Sequence, residues 1–181
     1  MNDLSMHILD IIQNSLSAGA SQIELNVWED VANNLLTIII KDNGKGMAPQ
    51  QVEQVTDPFF TSRTTRKVGM GLPLYRQSAE QSGGSLQVES QVGVGTTVTA
   101  TFQHNHLDRP PMGDLANAAV LMMSANPHHR FILTYTYNHR TYSVDTVEIN
   151  QALDGLPIND VRVIGMITNM IRDNMLELIK N

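Results

Sequence analysis

The chain has 181 residues, enough for one mid-sized domain or for a domain with a smaller partner. Its formal net charge of −6 argues against a general affinity for nucleic acid, so any anion site must be local. The absence of cysteine excludes disulfides, thiolate metal sites and a cysteine nucleophile. No run of apolar residues approaches the ~20 that a membrane helix needs. The N-terminus lacks a secretion signal, so we expect a cytoplasmic protein that does not enter a membrane.

The first half of the chain alternates between helical and strand patterns. Apolar residues recur at helical spacing from Leu4 to Leu16, with Asn2 or Asp3 as the N-cap and Gly19 as the stop. The elements predicted after this helix are strands over 22–28 and 35–42, the second buried on both faces, a helix over 72–82, and a strand pair over 86–90 and 96–102. This pattern predicts an α/β layer that ends near residue 102.

A junction follows, because Pro110 and Pro111 cannot continue a helix. Beyond it the sequence predicts a helix near 114–124, a hairpin over 130–149 and a long amphipathic helix over 159–179. We therefore expect two parts, an α/β domain over 1–104 and an α+β extension of unknown role over 105–181. The extension carries six of the ten methionines, Met112, Met122, Met123, Met166, Met170 and Met175. Such faces suit an adaptable protein partner, or they pack on the α/β domain or on a second copy in a homodimer.

A polar stripe runs along the first helix. His7, Asp10, Asn14 and Ser17 fall at positions i, i+3, i+7 and i+10, which places them on one face. A solvated surface is the alternative explanation for this stripe. The stripe becomes a candidate site because later elements also end in ligand-type groups.

Asp42 ends a row of apolar residues, Leu36, Ile38 and Ile40, on one face of the second strand. A carboxylate at the edge of an apolar layer needs a hydrogen-bond donor, and the amino group of adenine would serve. The glycines of the following DNGKGM turn would let the backbone approach the base. An ordinary Asp-Asn-Gly turn is the alternative. Pleat alternation places the hydroxyl of Thr96 on the inward face, near Asp42.

The segment DPFFTSRTTRKVGMGLPL, residues 57–74, combines aromatic residues, cations and a glycine turn. Gly69 to Gly71 lead into the helix, and free amides at such a helix start bind anions. Arg63, Arg66 and Lys67 precede this turn and would form a positive lid over the anion. A solvated loop is the alternative for the cations. Core packing is the alternative for the neighbouring phenylalanines.

Taken in order, Asn14, DNGKGM, the 57–74 segment and GVGTTV resemble the N, G1, F, G2 and G3 boxes of the GHKL ATPase superfamily. This superfamily comprises histidine kinases, DNA gyrase B, MutL and anti-sigma kinases. The resemblance covers roughly residues 4–102 and is strongest to the catalytic ATP-binding domain of histidine kinases, here as a stand-alone protein with a C-terminal extension. It implies an α/β (α+β) two-layer sandwich, in which a mixed sheet carries helices on one face.

The resemblance also implies roles for individual residues. Asn14 would bind Mg²⁺, Asp42 would bind the adenine amino group, and Thr96 would reach the adenine through water. The lid cations would close over the γ-phosphate. The full nucleotide site implied is Asn14, Asp42, Gly44, Gly46, Met47, Phe60, Thr61, Ser62, Arg63, Arg66, Lys67, Gly69, Met70, Gly71, Leu72 and Thr96.

Two departures from the superfamily bear on activity. Asp10 holds the place where hydrolysing members carry a glutamate, so it is the candidate general base although it is one methylene shorter. A sensor kinase carries a dimerising two-helix module with a phosphoacceptor histidine upstream, but only thirteen residues precede Asn14 here. His7 lies in the ligand-bearing helix itself, which disfavours it as a phosphoacceptor. We expect a module that binds ATP and Mg²⁺ and acts as a kinase or slow ATPase on an unidentified partner protein in bacterial signalling or regulation. The alternative is a non-catalytic switch gated by ATP.

Overall fold

The computed structural model describes residues 3–57 and 71–180. The helices are α1 (Leu4–Ser17), α2 (Pro49–Thr56), α3 (Gly71–Gln81), α4 (Leu115–Ala125), α5 (Thr146–Leu153) and α6 (Val161–Lys180). The strands are β1 (Gln22–Asp30), β2 (Leu35–Asp42), β3 (Ser85–Gln91), β4 (Gly95–Gln103), β5 (Arg130–Tyr137) and β6 (Arg140–Asp145). Among the described residues, no helix is both long enough and apolar enough to cross a membrane.

The strands form one mixed sheet in the order β3-β4-β2-β1-β5-β6. β1 pairs in parallel with β5, while the neighbouring pairs on either side of these two strands are antiparallel. Strand β2 lies inside the sheet between β1 and β4, and its last residue, Asp42, is paired with Thr96 in β4. The register therefore brings the predicted carboxylate and the predicted hydroxyl side by side.

One face of the sheet carries the core. Ile38, Val98, Leu133 and their neighbours on the same face are buried against the helices, because side chains alternate along a strand. The opposite face is polar and rich in threonine. This arrangement confirms the predicted mixed sheet with helices on one face. It also shows that one prediction is wrong, because β2 is buried on one face only: Ile39 and its neighbours on the other side remain partly exposed.

Helix α1 is held at its start by side-chain and backbone acceptors. The carboxylate of Asp3 accepts a hydrogen bond from the Met6 amide at 2.9 Å, as an N-cap residue does. The first two amides of the helix donate to the extension. The Leu4 amide donates to the Pro111 carbonyl at 2.8 Å, and the Ser5 amide donates to the Met112 carbonyl at 2.9 Å. The first helix is thus anchored by residues that lie more than a hundred positions along the chain.

Two short helices were not predicted. Helix α2 has only eight residues and none of them is fully buried, so its apolar signal is short. The helix begins at Pro49. Its start is capped by the Gln51 side chain, which accepts a hydrogen bond from the Ala48 amide at 2.9 Å. The hairpin prediction over 130–149 extends too far, because Asp145 accepts from the Val147 amide at 2.9 Å and starts α5.

The extension adds strands to the sheet of the preceding part. β5 lies beside β1, with Leu133 opposite Leu25, and both residues belong to one continuous buried cluster. The boundary between 1–104 and 105–181 stays a prediction. Among the six methionines, Met123 is buried and Met112, Met122 and Met175 pack partly against the core, whereas Met166 and Met170 are exposed.

We predict that Leu133→Ala lowers the free energy of unfolding by about 2–5 kcal/mol, the usual effect of truncating a buried leucine. Leu133 is 1% exposed and packs in the shared core. Chemical unfolding followed by circular dichroism measures the change, with Thr134→Ala on the open face as the control. A loss below about 1 kcal/mol would show that β5 does not stabilise the fold as described.

Candidate functional site

A cavity of about 200 Å³ opens beside the C-terminal half of α1 and the ends of β2 and β4. Its lining residues come from five segments that are far apart in the sequence. They are Ile11, Asn14, Ser15, Ser17, Ala18, Asp42, Lys45, Gly46, Met47, Val55, Leu72, Thr96 and Val98. Six of the predicted site residues, Asn14, Asp42, Gly46, Met47, Leu72 and Thr96, are therefore brought together in one place.

The carboxylate of Asp42 accepts hydrogen bonds from three elements. Its Oδ2 accepts from the Ser15 hydroxyl at 2.6 Å, and its Oδ1 accepts from the backbone amides of Gly44 at 2.8 Å and Thr96 at 3.3 Å. These donors satisfy a charged group at the edge of the apolar layer, as its position requires. They also fix its orientation toward the cavity.

Glycines surround Asp42 because the backbone is crowded there. A Cβ on Gly95 would lie 2.0 Å from the Asp42 carbonyl oxygen, and one on Gly46 would lie 2.0 Å from the Gln91 carbonyl oxygen. Both glycines also have positive φ angles, +146° and +71°, which side chains rarely adopt. At Gly44, a Cβ would meet Ala18 and the Asp42 carboxylate at 3.0 and 3.1 Å. Gly44 and Gly46 therefore let the turn close against the end of α1 and against β3, and Gly46 lines the cavity.

A second hydrogen-bond network holds the far wall. Thr96 Oγ1 lies 2.7 Å from the Ser90 hydroxyl, and Ser90 Oγ accepts from the Met47 amide at 2.8 Å. Ser90 thereby joins β3 to both Met47 and Thr96. The inward placement of Thr96 expected from pleat alternation is what the structure shows.

The polar stripe of α1 divides between different environments. Asn14 lines the cavity, Ser17 is exposed at its edge, and His7 is buried at 2% exposure. Asp10 lies against α3, since a Cβ on Gly71 would be 3.0 Å from the Cβ of Asp10. The stripe is thus not a uniformly solvated face.

His7 connects α1 to α3 away from the cavity. Its ring stacks on Tyr75, with centroids 5.0 Å apart and planes inclined by 22°, and its Nε2 lies 3.1 Å from the Ser78 hydroxyl. Its Nδ1 is buried and has no hydrogen-bond partner among the described residues. Burial lowers the pKa of His7, and the nearby carboxylate of Asp10 partly opposes this effect. This environment suits a packed, neutral imidazole.

Several predicted site residues lie outside the described part of the chain. They are Phe60, Thr61, Ser62, Arg63, Arg66, Lys67, Gly69 and Met70. The roles assigned to them therefore stay predictions. Within 3–57 and 71–180, no group of three or more histidine, aspartate or glutamate side chains could hold a metal ion.

Sequence reasoning missed Ser15, Ser90 and Lys45. Ser15 follows Asn14 directly and is buried at 3% exposure, but one position of helical spacing would ordinarily place it off the Asn14 face. Ser90 could have been found from the β3–β4 register, which pairs it with Thr96. Lys45 stands inside the predicted glycine turn and lines the cavity, so the turn itself was the available signal.

Comparison with known families agrees with this geometry. The family model described as "Histidine kinase-, DNA gyrase B-, and HSP90-like ATPase" matches residues 2–106, more than half of the chain. The chain belongs to this family. The resemblance inferred from the five sequence boxes is confirmed, and with it the assignment of a nucleotide-binding domain of the histidine-kinase type.

Its curated relatives include sensor histidine kinases. The chain is 30% identical to sensor histidine kinase ZraS of Escherichia coli over 110 residues, which is 61% of this chain and 23% of ZraS. It is 33% identical to histidine protein kinase SaeS of Staphylococcus aureus over 102 residues, which is 52% of this chain and 29% of SaeS. The chain thus matches less than a third of the length of either kinase.

A solved structure supports the fold alone. The N-terminal domain of a DNA repair protein superposes with a TM-score of 0.52 at 17% sequence identity, covering 78% of this chain and 51% of that one. The superposed part of this chain is longer than the segment 2–106 that the family model matches.

We predict that acid destabilises the protein partly through His7. Its folded-state pKa is lowered, so the unfolded state binds a proton more readily, and stability is lost as the pH falls below about 6.5. The contribution is complete above that pH. The slope from this one group is at most about 1.4 kcal/mol per pH unit. Urea unfolding at a series of pH values between 7.5 and 5 measures it, and His7→Gln should flatten the curve relative to wild type. An unchanged pH profile in the variant would contradict the assignment.

Proposed function

We propose that this chain binds ATP together with Mg²⁺ and acts as a kinase or slow ATPase on a partner protein in bacterial signalling or regulation. The observation that carries the proposal is the carboxylate of Asp42. It is oriented by three donors and lines a cavity that Asn14 also lines. Membership of the histidine kinase-like ATPase family supports the nucleotide.

The cavity suits an adenine ring. Its walls include the apolar side chains of Ile11, Met47, Val55, Leu72 and Val98, which are appropriate neighbours for the faces of a planar base. Polar groups complete the lining, among them Asp42 and Thr96. Asp42 would accept from the 6-amino group, while the Thr96 hydroxyl would reach the base through water. This division into apolar walls and a few directed polar groups is typical of ligand pockets.

The phosphates would extend toward α3. Leu72 in the first turn of this helix and Asn14 both line the cavity, so the start of a helix and an amide side chain are available for the triphosphate. Asn14 would bind Mg²⁺ through its side-chain oxygen, and the phosphate oxygens would supply further ligands. A neutral ligand fits because the triphosphate already brings negative charge. The lid cations predicted at residues 63–67 would complete the site.

Asp10 is our candidate general base. It lies on the same helix as Asn14 and against the first residue of α3. In hydrolysis it would accept a proton from the attacking water, with ADP as the leaving group. In transfer to a partner it would assist the nucleophile of that partner. The net charge of −6 favours a protein over a nucleic acid in this role.

A nucleotide-gated switch is the second candidate, and one observation favours it. The start of α1 is hydrogen-bonded to the carbonyls of Pro111 and Met112 in the extension, while its C-terminal half lines the cavity. Binding at the cavity therefore has a physical path to the extension. The exposed Met166 and Met170 give the extension an apolar surface for a protein partner or for a second copy.

We propose the cytoplasm as the compartment of this protein.

Incubation with γ-labelled ATP and Mg²⁺, with and without candidate partner proteins, separates these functions. Label on a partner indicates a kinase, free phosphate indicates an ATPase, and binding without either product indicates a switch. Absence of ATP binding at millimolar nucleotide would refute the proposal as a whole.

We predict that Asp42→Asn weakens ATP binding by at least about tenfold, since a hydrogen bond to a charged group contributes roughly 1.5–3 kcal/mol. Isothermal titration calorimetry measures the change. Asp173→Asn on the exposed side of α6 makes the same charge change far from the cavity and should bind ATP as wild type does. Full affinity in Asp42→Asn would overturn the adenine assignment.

We predict that Asp10→Asn binds ATP with nearly wild-type affinity but releases or transfers phosphate at least about a hundredfold more slowly, the usual scale of general-base catalysis. Asp10→Glu restores a carboxylate and should recover part of the rate. Single-turnover measurements with labelled ATP give both numbers. An unchanged rate in Asp10→Asn would exclude Asp10 as the base.

A further inference from the structure

Ser15 has no role in the site predicted from the sequence, yet it makes the shortest of the three hydrogen bonds to Asp42. Its hydroxyl donates to Asp42 Oδ2 at 2.6 Å, and the side chain is 3% exposed. Ser15 follows Asn14 on α1 and lines the same cavity. A short hydrogen bond from a buried hydroxyl to a carboxylate is a strong, charge-assisted one.

Within 3–57 and 71–180, the donors around Asp42 leave one acceptor position open. A carboxylate offers about four lone-pair sites, two on each oxygen. Oδ1 already accepts from the amides of Gly44 and Thr96, and Oδ2 accepts from Ser15. The remaining site is on Oδ2, the oxygen that Ser15 holds. This arrangement can accept one N–H group from a ligand in the cavity.

The other two donors, the amides of Gly44 and Thr96, hold only Oδ1 and leave Oδ2 unrestrained. The Gly44 bond is 2.8 Å long, but the Thr96 bond is 3.3 Å, and both converge on the same oxygen. Without Ser15, Oδ2 would have no protein donor among the described residues. The carboxylate could then rotate about its χ2 torsion, and water could compete for both sites on Oδ2.

We propose that Ser15 is a positioning residue that aims the free acceptor of Asp42 at the exocyclic 6-amino group of the purine. This inference rests on the proposed function, because it assumes that adenine occupies the cavity. Ser15 acts through Asp42, so its contribution to binding appears only when the ligand carries the donor that Asp42 receives. A guanine edge, which presents a 6-oxo acceptor to Asp42, gains nothing from Ser15.

The test compares two nucleotides that differ in one group. ATP and purine riboside triphosphate share the ring, the sugar and the phosphates, but the second lacks the 6-amino group. Wild-type protein should bind ATP more tightly than this analogue. Ser15→Ala should weaken ATP binding about three- to tenfold, the scale of one hydrogen bond, and should leave binding of the analogue unchanged.

Three further variants control the result. Ser15→Thr retains the hydroxyl and should recover the preference for ATP. Ser15→Cys keeps the side-chain volume with a weak donor and should behave as Ser15→Ala does. Ser124→Ala replaces a serine of helix α4, which does not line the cavity, and should bind both nucleotides as wild type does. Alanine is favourable in a helix, so Ser15→Ala is expected to fold.

The outcomes separate a failure of the Ser15 inference from a failure of the proposed function. Equal losses for ATP and the analogue in Ser15→Ala would mean that Ser15 only supports the cavity, which overturns this inference and leaves the proposed function intact. Unchanged ATP binding in Ser15→Ala would overturn the inference as well. Failure of the wild-type protein to bind ATP would overturn the proposed function and this inference together.

Discussion

The rest of the site depends on satisfying one carboxylate at the edge of an apolar core. Asp42 ends the buried face of β2, so its charge must be balanced by hydrogen bonds. The donors come from α1 through Ser15, from the turn through Gly44 and from β4 through Thr96. Each contact fixes a different element relative to β2. The cavity exists where these elements meet, so the group that would recognise a base is also the group that assembles its pocket.

Helix α1 joins this site to the extension. Its apolar face packs in the shared core, its start is capped by Asp3 and by two carbonyls of the segment after β4, and its C-terminal half carries Asn14 and Ser15. A shift of this helix would disturb both ends at once. Coupling between nucleotide and extension therefore requires α1, or the turn that it contacts, to have two stable arrangements.

The sequence predicted most of the sheet because apolar residues alternate in β1 and β4, where one face is buried, and form a nearly continuous run in β2. It also predicted the neighbourhood of Asp42 and Thr96, since alternation fixes which side chains share a face. It failed at α2, whose residues are not buried, and at α5, whose start depends on the Asp145 cap. The pairing of β5 with β1 connects positions more than a hundred residues apart and has no local signal. Ser15 was missed for a similar reason, because only its contact with Asp42, 27 positions along the chain, identifies it.

The groups proposed for recognition and for chemistry lie on different elements. Asp42 belongs to the sheet and is held rigidly by its donors. Asp10 lies on α1 against Gly71, where α3 begins, and it is not one of the residues that line the cavity. In the proposed function, recognition of the base would thus rest on a preformed carboxylate, whereas cleavage of the γ-phosphate would depend on the packing of α1 against α3. His7 and its contacts with Tyr75 and Ser78 hold these same two helices together, three residues from Asp10. If the proposed roles hold, a change in that packing would alter turnover while leaving recognition of the base intact, so affinity and activity would vary independently.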